Sequence, residues 1–343
     1  MSDGSGRASG RRRRDLARAD KVLPGVWRLR LPLPWPGVPH VNAWALTAGS
    51  GVVLVDTGLD EPGALGQLER ALDQAGLRLD HVRLLVCTHA HSDHYGLAGP
   101  IVDAAGCELW MHPNHGHMTR AATDPERALE RRIEVARQSG VPGEALRRYQ
   151  ESRKGAGIGI ARVVEPDRDL VPGVEVQTDL GVFHVYETPG HAPSHVCLHQ
   201  PDRGILISGD HLLGRVSLYY DYGHTPDPAG EFLESLDVVD ALESSLCLAG
   251  HGRPFRDVKE HIEANRREVA ERMGRVRAAL EDAGGRPMTP FEIVPRLLGD
   301  PHPSPMMVNW GLSETLSYLR HLERLSEAAR VESEPAERWS LAA

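Results

Sequence analysis

The sequence predicts an α/β layered domain over about residues 21 to 255, followed by a helical C-terminal unit. Three observations carry this. Short apolar runs broken by proline and glycine turns alternate with stretches of helical spacing, the rhythm of a sheet-and-helix fold. Beyond Phe255 that alternation gives way to long helical periodicity. The composition, 41% hydrophobic and 25% charged over 343 residues, is that of an ordinary globular chain. At roughly 100 to 200 residues per domain, this length suggests two units.

The opening strands are "VWRLRLPL", "VNAWALTA" and "GVVLVDTG". Residues 61–76 then place Leu65, Leu68 and Leu72 on one helical face, with Gly76 as a stop signal. The strand "HVRLLVCTH" follows, and "CELWMHP" is another. Residues 119–154 are charged and helical in propensity, and they separate two strand-rich regions as a helical insertion. Strands resume in "GVEVQTDLGVFHVYETPGH", "HVCLHQPDRGILISGDH" and "SSLCLAGHG", with helical spacing in "AGEFLESLDVVDALE" between the last two. Residues 256–343 begin with one long helix stopped by Gly284 and Gly285. A second helix is capped by Thr289 with Pro290 in its first turn, and a third runs from about Ser313. Two extended segments around "SEPAE" close the chain as a hairpin, and three helices with a terminal hairpin resemble a winged-helix unit.

No apolar stretch approaches the roughly 20 residues that cross a bilayer. Residues 1–20 carry arginines with no apolar segment behind them, so they read as a disordered basic tail and the chain as cytoplasmic. The net charge of −9 gives no support to nucleic-acid binding by that tail. Cys87, Cys107, Cys197 and Cys247 form no C-x-x-C pair; Cys87, Cys197 and Cys247 lie in or beside apolar runs and read as buried free thiols.

The chemistry concentrates in "CTHAHSDHYG", residues 87–96, directly after an apolar strand. His89, His91, Asp93 and His94 can hold metal there only with further ligands. "ETPGHAPSH" supplies His191, "ISGDH" supplies Asp210 and "LAGHG" supplies His251, each after a strand-like segment. Loops at the ends of neighbouring strands converge in space. Imidazole and carboxylate suit Zn²⁺, and seven candidate ligands exceed what one ion needs, so two metals are implied. His112, His115 and His117 in "HPNHGHM" form a second cluster that reads as a surface loop or the rim of the site. His195 and His211 are candidates for substrate contact, as are Tyr219 and Tyr220 in "SLYYDYGHTP".

The motif "HAHSDH" resembles H-x-H-x-D-H of the metallo-β-lactamase superfamily, and the resemblance runs over most of residues 21 to 255 through "AGHG". It implies an αββα sandwich. It also implies that His89, His91 and His191 hold one metal, that Asp93, His94 and His251 hold the other, and that Asp210 bridges them. In that family Asp56 of "VDTG" supports the metal-binding loop by hydrogen bonds to its backbone.

The resemblance further implies a hydrolase in which a metal-bridging hydroxide attacks and Asp93 and Asp210 orient it. Asp210 speaks against a true β-lactamase and for the glyoxalase II-like branch. The C-terminal helices resemble the β-lactamase-like protein 2 group, whose members include endoribonucleases and thioesterases acting on carrier-bound substrates. Residues 256–330 carry 12 Lys plus Arg against 12 Asp plus Glu, so the unit presents no net basic charge and a packing or dimerisation role is expected. The expectation is therefore hydrolysis of an acyl thioester or related ester, carried by a protein, coenzyme A or glutathione, by a possible homodimer holding two Zn²⁺, with Fe or Mn as alternatives. The rivals are an endoribonuclease using Arg120, Arg131, Arg132, Arg147 and Arg148, a lactonase, and a mononuclear iron dioxygenase.

Overall fold

The computed structural model describes residues 16–155, 157–331 and 335–342. In chain order its elements begin with strands β1 (Arg18–Leu23), β2 (Val26–Trp35), β3 (Val38–Ala48) and β4 (Gly51–Val55), then helix α1 (Ala64–Gln74). Next come β5 (Val82–Cys87), α2 (Ser92–Tyr95), α3 (Ala98–Ala105), β6 (Glu108–Met111), α4 (Gly116–Thr123), α5 (Pro125–Gln138) and α6 (Gly143–Arg153). Then follow β7 (Arg168–Asp169), β8 (Glu175–Thr178), β9 (Gly181–Glu187), β10 (Val196–Gln200), β11 (Ile205–Gly209), α7 (Pro228–Asp240) and β12 (Leu246–Ala249). The chain closes with α8 (Val258–Asp282), α9 (Pro290–Leu298), α10 (Pro305–Arg324), β13 (Ala328–Val331) and β14 (Arg338–Leu341).

Strands β1 to β7 form one sheet in sequence order, antiparallel through β4 and parallel from β4 onward. A second sheet has the order β12-β11-β10-β9-β8, with β11 and β12 parallel. Period-2 alternation decides which face each side chain serves. In β3, Trp44 and Leu46 enter the core between the sheets, while Val41, Ala43 and Ala45 pack outward against α1 and α3. In β10, β11 and β12, Val196, Leu198, Ile205, Ile207, Leu246 and Leu248 face the other sheet. Their neighbours Cys197, Leu206 and Cys247 face α7 and the C-terminal helices. The layers therefore run helix, sheet, sheet, helix. All four cysteines are buried and free, and Cys197 and Cys247 occupy alternate, outward strand positions.

Several boundaries differ from those the sequence suggests. Residues 1–15 of the expected basic tail lie outside the described residues, but its last residues belong to the fold. Arg18 begins β1, Ala17 is fully buried, and Asp20 pairs with the buried guanidinium of Arg28 at 2.5 Å. Helix α10 starts at Pro305 with Ser304 as its cap, so Ser313 sits inside it, and it stops at Arg324 before a strand. Thr289 caps α9 as its sequence indicates, in a reciprocal box with Glu292. Most of the apolar side chains of the C-terminal helices pack into the sandwich rather than into a core of their own. Val269, Ile293, Leu297, Tyr318 and Leu322 share one with Leu206, Cys247, Phe232 and Leu236 of the sandwich.

Candidate metal centre

Strands β5, β11 and β12 and the β9–β10 loop end at one edge of the sandwich, and each delivers a candidate ligand just past its last sheet residue. His89, His91, Asp93 and His94 follow β5, His191 lies between β9 and β10, Asp210 follows β11 and His251 follows β12. The structure brings all seven together. The ligating atoms of His89, His91 and His191 lie within 4.8 Å of one another, as do those of Asp93, His94 and His251, and those of His89, His94 and Asp210. Asp210 stands between the two trios. Its Oδ2 is 3.2 Å from His251 Nε2 and 3.8 Å from His191 Nε2, while Oδ1 is 3.4 Å from His94 Nε2.

Hydrogen bonds behind the ligands set which imidazole nitrogen faces inward. Asp56, a buried non-glycine residue at φ 64°, accepts from the Thr88 backbone N–H at 2.8 Å and from the Thr88 hydroxyl. It also takes His94 Nδ1–H at 2.8 Å, which turns His94 Nε2 toward the site. With its own proton given to Asp56, the Thr88 hydroxyl can only accept from His89 Nδ1–H, 3.0 Å away, so His89 Nε2 points inward unprotonated. His251 Nδ1–H donates to the carbonyl of His40 at 2.9 Å, leaving Nε2 for the site. The His251 loop is held in turn by Asn42, whose side-chain amide donates to the carbonyls of Ala249 and Gly252, and by Arg28, which donates to Gly252 O. Gly250 permits the close approach: a Cβ there would overlap Asp210 Oδ1 and come within 2.7 Å of His94 Cε1.

Charge and hydrogen bonding both test whether a cation fits. Among the described residues, His89 Nε2, His94 Nε2 and Asp210 Oδ1 are buried atoms that make no hydrogen bond. Such groups are costly unless something occupies the space they face. Burial would drive the protons off His94 and His251, but Asp210 and Asp93 outweigh it, holding His94 well above the ordinary imidazole range and pushing His251 up to about 10. Burial likewise resists charge on Asp210, yet His251 and His94 hold it well below the usual carboxylate range. The buried carboxylates thus demand positive charge at this spot. Burial among other imidazoles keeps His89 neutral and brings His191 down to about 3, as a nitrogen ligand to metal requires. The donor set fits metal ions.

Other expected contacts fall differently. Tyr219 stands at the site, its ring 5.7 Å from that of His91 and 5.6 Å from that of His191. Tyr220 does not: it is fully buried against Phe232 and Tyr318, because the chain alternates sides and sends it into the helical core. His195 is also buried, with Nδ1 bonded to Thr188 and Nε2 accepting the Asp210 N–H at 3.1 Å, so it fixes the Asp210 turn rather than facing substrate. His211 packs into the core against Phe232, 4.9 Å between ring centres. Of the second histidine cluster, His112 pairs with Glu187 and His115 with Thr119, and only His117 turns toward the site, onto Asp221. Asn42, Arg28 and Asp221 escape a reading by motif; the polar Asn42 within the apolar β3 run was the one visible signal.

The sandwich, with histidines and aspartates converging at one edge, defines a metallo-hydrolase. Residues 36–251 match the model of the metallo-beta-lactamase superfamily, and the chain belongs to that superfamily. It is 25% identical over 307 residues to a probable metallo-hydrolase, YqjP, of Bacillus subtilis, covering 87% of this chain and 92% of that one. A metallo-beta-lactamase family protein from Thermus thermophilus superposes with a TM-score of 0.78 at 28% identity, over 94% of this chain and all of the other. A beta-lactamase domain protein from Burkholderia ambifaria gives 0.79 at 28% identity, over 94% of each chain. Among the described residues no helix is long and apolar enough to cross a membrane.

Proposed function

We propose that the chain is a binuclear metal-dependent hydrolase of acyl thioesters or related esters, of the glyoxalase II-like and β-lactamase-like protein 2 type, working in the cytoplasm with Zn²⁺. The observation that carries this reading is the position of Asp210, with one carboxylate within 4 Å of imidazoles from both trios. His89, His91 and His191 would hold one ion and Asp93, His94 and His251 the other. Two cations held there would supply a water made nucleophilic at neutral pH and would polarise a scissile carbonyl. Asp93 and Asp210 supply the buried negative charge that balances the cations. Asp56, Thr88, His195 and Asn42 hold the ligand loops in register. Tyr219, beside His91 and His191, lines the approach for an acyl group.

A thiolate leaves without a dedicated general acid, which suits a site whose nearby imidazoles are committed to ligand and loop positions. Three of the five arginines that a nucleic-acid substrate would need near the site have partners within the protein, as do many of those in the C-terminal helices. Arg147 and Arg148 both pair with Glu144, Arg132 donates to the Tyr149 hydroxyl, and Arg266, Arg272, Arg275, Arg277, Arg286, Arg296 and Arg320 pair with carboxylates. The winged-helix-like C-terminal unit is accordingly assigned a packing role.

The test is turnover of an acyl-thioester panel against a labelled RNA by metal-loaded protein, with Asp210→Ala alongside. Thioester cleavage that Asp210→Ala abolishes, with circular dichroism and melting temperature unchanged, is the expected result. Full activity in Asp210→Ala would remove the bridging role. RNA cleavage that weakens with rising salt would replace the substrate class.

A further inference from the structure

Asp221 lies in none of the ligand motifs, yet it touches both outer members of the first trio. Its carboxylate Oδ2 is 3.5 Å from His91 Nε2, and its backbone N–H donates to the carbonyl of His191 at 3.1 Å. The same Oδ2 takes His117 Nδ1 at 2.6 Å. His117 Nε2 is 2.8 Å from the Ser194 hydroxyl, and Ser194 Oγ accepts the Ala90 N–H at 3.1 Å. His117 and Asp221 are both largely sequestered, with side-chain exposures of 1% and 14%.

With Asp221 ionised and His117 neutral, these contacts fit one assignment of protons. Ser194 Oγ accepts from Ala90, so its own hydrogen is free for His117 Nε2. Neutral His117 then carries its proton on Nδ1 and donates it to Asp221. An ionised carboxylate only accepts, so the nitrogen of His91 that faces it is the protonated one. His91 Nδ1, 3.0 Å from His191 Nε2 inside the first trio, is left with its lone pair. A carboxylate behind a ligating imidazole is a recurrent way to fix ring and tautomer together.

We infer that Asp221, held by His117 and Ser194, is a positioning residue that keeps the proton of His91 on Nε2 and so opens Nδ1 toward the metal site. The inference rests on reading His89, His91 and His191 as ligands. A third ion between His91, His117 and Asp221 is the competing arrangement, since their ligating atoms also lie within 4.8 Å of one another. It is disfavoured because both His117 nitrogens already have protein partners and His91 offers the first trio its Nδ1.

Asp221→Asn keeps the shape and removes the charge. Two readouts are needed on full-length protein. The first is histidine ¹⁵N spectra of the metal-free chain, with His91 assigned by comparison with His91→Asn. Wild-type His91 is expected as the Nε2–H tautomer, and Asp221→Asn as a mixture. The second is Zn²⁺ titration against a chromophoric chelator. In the variant one of the two binding steps weakens by about 10- to 100-fold and the other is unchanged, with the melting temperature of the metal-free protein preserved. His117→Gln, which removes the side chain that aims the carboxylate, weakens the same step and serves if Asp221→Asn does not fold.

Unchanged tautomer and unchanged steps in either folded variant overturn the inference alone. A third Zn²⁺ equivalent that disappears in Asp221→Asn overturns it by making Asp221 a ligand. Wild-type protein that binds no metal overturns the ligand reading and the inference together, whatever the tautomer of His91.

Discussion

At the scale of single residues the site is a problem of protons as much as of metals. Asp56 accepts the left-handed φ of 64° that most side chains avoid, and its carboxylate collects three donors in return. Histidines buried as neutral rings leave a signature in pH. His211 is the clearest case outside the ligands, because burial brings it down to about 3. The unfolded chain protonates it near pH 6.5, so as pH falls the unfolded state takes the extra proton first. Its contribution is complete above that value and drains away between about 6.5 and about 3. Urea unfolding of metal-free protein at pH 7 and pH 5 should therefore show His211→Gln losing about 2 kcal/mol less than wild type over that interval. Equal losses would contradict the assignment. Of the site, the seven candidate ligands were legible because residue type and spacing carry them. Asp221 was not, since its partners stand at positions 91, 117 and 194 and only the fold brings them together. Tyr220, His195 and His211 were read toward substrate for the same reason: nearness to the motif is visible in sequence, whereas the side to which a side chain turns is not.

Elements that look peripheral hold the site in place. Helix α10 reaches the segment carrying Tyr219 and Asp221: Ser313 Oγ donates to Tyr220 O at 2.6 Å, and Tyr318 Oη lies 3.3 Å from Tyr220 Oη. The insertion helix α5, through Val135 and Ala136, and the turn after it, through Val141, lean on the same C-terminal helices at Val294, Leu312 and Leu316. Helix α8 is tied to α10 by the Arg272–Glu314 pair, whose carboxylate is almost wholly buried. A chain ended after Phe255 would expose Leu206, Phe232, Leu236 and Cys247, which pack beneath these helices. Its expected fate is aggregation rather than a folded, metal-binding sandwich, checked by solubility and size-exclusion chromatography; a monomeric, metal-binding fragment would refute the shared core. The strands and most helices were legible from alternation and turn residues, because each has one apolar face. The start of α10 was not, because Pro305 and Ser304 look like loop residues until Ser304 is seen accepting the Met307 N–H. Strand β1 was hidden among the arginines of the N-terminal segment, and only its pairing with β2 identifies it.

Over the whole molecule, two sheets and two helical layers serve to bring four ligand-bearing loops to one edge, and the chemistry follows from what those loops collect. Metallo-beta-lactamase membership accounts for the sandwich and for a metal-dependent hydrolase. The proposal of two ions rests on this chain's own geometry: two trios of candidate ligands, one carboxylate between them, and buried charges that protons on His94 and His251 neutralise when no cation does. Metal binding should accordingly release protons, and its affinity should fall as the pH is lowered. The most direct measurement is the Zn²⁺ stoichiometry of metal-free protein at neutral pH, read by calorimetric titration and by elemental analysis after dialysis. Two equivalents per chain are predicted. A single equivalent, or none, would contradict the binuclear centre on which the proposed hydrolase stands.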